Sequence, residues 1–157
     1  MKDIVGKEKR VLMFDRQSTL PSKTWVFNFG CGEKIITITY NEKCEPVEIF
    51  MIGGKEGTCV NTAGAAVGKV CSAVLRANHD SEMKEHMLNV IIKNLSEMRC
   101  DSGVWDDAVF LTSCYHAIAV CLQQPYECKN GLWRGGQFFE FKAKSIDLEG
   151  LEYDRSK

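Results

Sequence analysis

The hydrophobic period of the chain changes at Gly53-Gly54-Lys55-Glu56-Gly57-Thr58, and that change confines what it can fold into. Before it, apolar residues alternate. Trp25, Phe27 and Phe29 fall on one side, Val26 and Asn28 on the other, and Gly30-Cys31-Gly32 then breaks the run as a tight turn. Lys34–Tyr40 resumes in Ile and Thr, Asn41–Pro46 is polar turn material, and Val47–Ile52 makes a third run. Parallel strands need a crossover of a dozen or more residues, so links this short predict an antiparallel meander.

After the glycine-rich connection the period is helical. Thr58 or Asn61 caps a first helix in which Ala63, Val67, Val70 and Val74 recur on one face. Gly64, Gly68 and Ser72 form a second, very small face; glycine costs a helix roughly 1 kcal/mol relative to alanine, so the stripe points to a close neighbour, whether sheet, helix or ligand. Asp80-Ser81 opens a second helix with Met83, Met87, Val90, Ile91, Leu95 and Met98 on its apolar face. Arg99–Thr112 reads as a connecting segment. Ser113 caps a third helix with Ala117, Ile118, Cys121 and Leu122 inward, and Pro125 stops it. The tail carries a turn at Asn130-Gly131, an alternating run from Gln137 to Ala143 and an acidic end. The expected fold is α+β, an antiparallel three- or four-stranded sheet packed against two or three helices. Residues 1–20 form a lead-in, 21–124 the domain, and 125–157 an extension with one strand and an acidic tail.

A length of 157 residues is enough to bury a core. Lys+Arg 20 against Asp+Glu 21 excludes the basic field of a general nucleic-acid binder. No apolar run approaches the roughly 20 residues of a membrane span, and the charged start lacks the stretch of a secretory signal, so the expected location is cytoplasmic. Eight cysteines in such a compartment should stay mostly reduced, and none is spaced as a CxxC pair. The familiar nucleotide, serine-hydrolase and zinc-protease motifs are missing. A Cys–His catalytic pair is conceivable from eight thiols and His79, His86 and His116, but chance proximity accounts for it as readily.

The GGKEGT loop carries more chemistry. A strand running through glycines into a helix aims backbone N–H groups and the positive end of the helix dipole at one place, which suits phosphate or carboxylate. Lys55 adds a full charge, Gly57 and Thr58 complete the turn, and Arg76 and Arg99 are further anion partners through bidentate guanidinium contacts. The plainer alternative is an ordinary strand-to-helix link with solvated cations. Trp105, beside Asp106 and Asp107, could stack on a base or simply plug the edge of the core.

Several segments stand in one order: FGCG at 29–32, PVEIF at 46–50, GGKEGTC at 53–59, LR at 75–76, RC at 99–100 and LTSCYHAIAVCL at 111–122. Together, over about residues 20–124, they resemble the TSCPD domain found near the C-terminus of adenosylcobalamin-dependent ribonucleotide reductases. Thr112-Ser113-Cys114 keeps the start of the run that names the family, while Tyr115 and His116 stand at its Pro-Asp places. The resemblance puts the family's recurrent cysteines at Cys31, Cys59, Cys100 and Cys114, a set that could satisfy tetrahedral zinc or serve as small reduced core residues. It places His116 where it could act as a ligand or touch a bound molecule. The reductase barrel cannot fit in this length, so the resemblance carries no reductase activity. What it implies is a stand-alone, non-catalytic domain that binds a nucleotide or other phosphorylated ligand. Its role would be that of a reductase accessory or of an oligomeric sponge for a nucleotide signal, including viral anti-defence in a host cytoplasm. The alternatives are a zinc-stabilised protein-interaction module without a small-molecule ligand and a thiol redox relay.

Overall fold

A computed structural model describes residues 19–54, 58–77, 80–128, 131–134 and 137–140. The alternation before residue 53 becomes a three-stranded antiparallel meander, β1 (Ser22–Phe29), β2 (Gly32–Tyr40) and β3 (Pro46–Ile52), in spatial order 1-2-3. Phe29 pairs with Gly32 across the Gly30-Cys31 turn. The second turn is built by Asn41, whose Oδ1 accepts the N–H groups of Lys43 and Glu45, both at 2.9 Å. Register places Phe27, Lys34, Ile36, Ile38, Ile49 and Met51 on one face, all buried. Thr24, Val26, Ile35, Thr37, Phe50 and Ile52 share the other, which is largely open.

Of the two candidate caps, Thr58 is the one that opens helix α1 (Cys59–Arg76), its side chain accepting the N–H of Asn61. The face it buries differs from the one its valines mark. Gly64, Gly68, Cys71 and Ser72 are inside, whereas Val70 is 64% exposed. The reason is close approach: α1 lies along the outer edge of β3, and a Cβ on Gly68 would come within 2.8 Å of the Ile49 carbonyl oxygen. Ser72 then supplies hydrogen bonds to the Ile49 backbone. The small stripe therefore answers to a sheet edge; Val70 is left on the surface, while Val67 and Val74 are half-buried.

Helix α2 (Ser81–Ser96) is capped by Asp80, which accepts the Met83 N–H at 2.8 Å. Its buried residues are Leu88, Ile92 and Leu95, while Met83, Val90 and Met98 are exposed; the inward stripe is rotated from the one the methionines suggest, because the helix faces α3. Helix α3 (Cys114–Gln123) buries Ala117, Ile118, Cys121 and Leu122 as read from sequence. Between them, the segment expected to be a plain connection forms a hairpin, β4 (Val104–Asp106) with β5 (Val109–Leu111), whose three-residue strands are too short to show alternation. The fold class is α+β, with the sheet's buried face, α2 and α3 enclosing the core.

After residue 124 the chain forms three short antiparallel strands where alternation pointed to one: β6 (Tyr126–Cys128), β7 (Gly131–Arg134) and β8 (Gln137–Glu140). Tyr126 stacks on Tyr40 with ring centroids 3.7 Å apart, and the buried Trp133 indole donates to the Leu122 carbonyl at 2.9 Å. Cys44 and Cys128 form a disulfide, with a Cα–Cα separation of 5.7 Å that lies in the usual range for such a bridge. The other six cysteines are free, in keeping with a mostly reduced set; the one bridge arises because the turn after β2 and the end of β6 converge across 84 residues, which spacing along the chain does not reveal. No described helix is long and apolar enough to cross a membrane.

Candidate functional site

One end of the sheet gathers the chemistry-bearing residues. The chain leaves β3 through Gly53 and Gly54, at φ 137° and 85°, a region open to glycine. Beneath this bend lies Lys34. The phase of β2 carries its side chain to the buried face beside Ile36 and Ile38, and the residue is only 1% exposed. Its ammonium donates to the Gly53 carbonyl at 3.0 Å, and a Cβ on Gly54 would sit 2.9 Å from Nζ. Among the described residues no carboxylate pairs with this ammonium. A buried cation without a counter-charge is costly.

Thiols surround the same place. Cys31 lies in the β1–β2 turn and is exposed, as is Cys100; Cys114 is the first residue of α3 and is buried. Burial pushes the Cys114 thiol above its ordinary range, Cys31 and Cys100 add to the rise, and Lys34 pulls against it. The Tyr115 hydroxyl is raised by burial and then by the same three sulfurs. The α3 end is tightly built: the Ser113 hydroxyl accepts the His116 N–H at 3.0 Å and donates to the Met98 carbonyl at 2.8 Å. The Cys100 N–H bonds the Thr112 carbonyl at 2.9 Å. His116 Nδ1 accepts the Thr112 N–H at 3.1 Å, which puts the proton of a neutral imidazole on Nε2.

The remaining sequence candidates fall in several places. Lys55 and Gly57 lie outside the described residues. Thr58 is the cap of α1, and Cys59, its first residue, is exposed. Arg76 is at the opposite end of this 18-residue helix, about 27 Å away. There it donates to the Ser72 carbonyl at 3.2 Å and to Glu48 at 3.3 Å, and it lines a separate cleft of about 180 Å³ with Phe50, Ile52 and Lys69. Arg99 is exposed next to Cys100. Trp105 is 68% exposed on the β4–β5 hairpin, its ring tilted against Phe110 at 5.2 Å. Of the four cysteines, Cys31, Cys100 and Cys114 share a neighbourhood, yet among the described residues no three His, Cys, Asp or Glu side chains are gathered as a metal-holding group. Lys34 is the residue that the motif search passes over. The signal for it was present: in KIITITY it stands in phase with Ile36, Ile38 and Tyr40.

A family model described as the TSCPD domain matches residues 8–126. No curated protein matches the chain, and no solved structure does.

Proposed function

Because the chain belongs to the TSCPD domain family, we propose that it binds a nucleotide or nucleotide-derived phosphorylated ligand without transforming it, at the bend after β3. The observation that carries this reading is Lys34, a nearly buried ammonium set against Gly53 and Gly54 with no carboxylate partner among the described residues. The N-terminus of α1 follows within a few residues and adds its dipole. A phosphate there neutralises the cation; a reductase accessory or an oligomeric sponge for a nucleotide signal both use such a site. Titration calorimetry with ATP, dATP and inorganic phosphate tests it. Saturable heat is expected with the wild type, and Lys34→Met should abolish it while keeping the far-UV circular dichroism. A wild type that binds none of the three removes the proposal.

A second reading is favoured by the shared neighbourhood of Cys31, Cys100 and Cys114. As thiolates they would suit zinc, Cys59 could complete the set, and Lys34 would offset their negative charge. The protein would then be a metal-stabilised interaction module. Native mass spectrometry separates the readings: it would show one retained zinc, and a chelator would lower the melting temperature.

A further inference from the structure

The two margins of the sheet are treated differently. On β3, α1 covers the outward backbone groups, with Ser72 bonded to Ile49. On β1 the outward groups can be assigned from register. Tyr40 donates its N–H to the Pro21 carbonyl at 2.9 Å, so odd-numbered residues turn their backbone groups toward β2 and Ser22, Thr24, Val26 and Asn28 turn theirs away. Among the described residues no hydrogen bond reaches these outward groups. Ser102 packs against Gly30, and β4 runs close to β1 without joining its hydrogen-bond ladder.

An apolar row runs straight to this margin on the open face. Ile52 pairs with Ile35 and Ile35 with Val26; Ile52 is 61% exposed and Val26 55%. We propose that β1 pairs antiparallel with β1 of a second copy of this chain, about a two-fold axis at Val26, to give a continuous six-stranded sheet. The row itself selects a second copy as the occupant. Under that axis Val26 meets its counterpart and the Ile52–Ile35–Val26 row repeats in reverse, so one apolar strip crosses all six strands. The pairing sets Thr24 opposite Asn28 and Lys23, the strand's one charge, opposite Phe29, so no like charges meet. Main-chain hydrogen bonds supply the contact, and the lone Lys23 keeps the edge from open-ended aggregation.

Sedimentation equilibrium over a concentration series tests this on the full chain. The wild type should sediment as a dimer. Val26→Lys places two ammonium groups at the axis and should raise the dissociation constant by more than about tenfold. Val26→Pro removes an N–H that faces away from β2, so the monomer should keep its circular dichroism while the dimer is lost. Val70→Lys, on the exposed side of α1, should leave the dimer intact. A wild type that is monomeric throughout, a dimer that survives Val26→Lys, or one that Val70→Lys dissolves overturns the proposal.

Discussion

The hydroxyl of Ser72 accepts the backbone N–H of Ile49 at 2.8 Å and shares its own proton between the Gly68 carbonyl at 2.7 Å and the Ile49 carbonyl at 3.2 Å. A helix side chain thus does for the rim of β3 what another strand would otherwise do. Removing the oxygen leaves a buried amide without an acceptor. Ser72→Ala should therefore cost about 1–3 kcal/mol in urea denaturation. Gly68→Ala should also destabilise, because its Cβ meets a backbone oxygen that cannot move aside. Gly64→Ala meets only the flexible end of Met51 and gains helix propensity, so it should be the milder of the two.

Tyr40 is fully buried, and its hydroxyl has no hydrogen-bond partner among the described residues. Its ring stacks on Tyr126, and that contact does not need the oxygen. Tyr40→Phe should leave the stack in place and stabilise the protein by roughly 1 kcal/mol, read as a higher urea midpoint with an unchanged slope.

Alkaline pH should weaken the fold through Cys121. Burial, with Asp106 nearby, pushes this thiol up to about 12 from an ordinary value of 9.0, so the folded state holds a proton that the unfolded state has already released. The contribution is complete below pH 9 and is lost as pH climbs from 9 to 12, by up to about 4 kcal/mol. Cys121→Ala should begin from a lower stability but decline less steeply over that window, in melts recorded at stepped pH. Equal slopes would show that other groups dominate.

Breaking the Cys44–Cys128 bridge should release the extension from the meander. For a closed loop of 84 residues, chain entropy gives a loss of about 4.6 kcal/mol. Cys128→Ser, and the wild type under dithiothreitol, should both melt lower. The buried Trp133 should shift its emission to the red if the strands after Pro125 detach with the bridge.

The meander was legible because its strands are long enough to alternate, and the starts of the three helices because Thr58, Asp80 and Ser113 are caps followed by apolar periodicity. The inward faces of α1 and α2 were less so. Apolarity ranks Val70 and Met83 as core, but α1 is selected by thinness rather than greasiness, since only glycine and serine let a helix rest on a strand's rim. At the candidate site, the glycine-loop motif pointed to Lys55, outside the described residues, whereas the cation described at the bend is Lys34, inside a strand. Arg76, expected as an anion partner beside the glycine bend, bonds Glu48 instead, and an 18-residue helix separates it from that bend. Distances of that kind depend on tertiary packing and leave no mark on local spacing.

The bridge between Cys44 and Cys128 also sets a timetable for synthesis. At ordinary elongation speeds Cys44 is added to the chain about 4–17 s before its partner. Within that interval Cys59 and Cys71 are added, and with Cys31 they lie nearer to Cys44 along the chain than Cys128 does. Pairing with Cys128 therefore requires that Cys44 stay unbridged until translation reaches its partner.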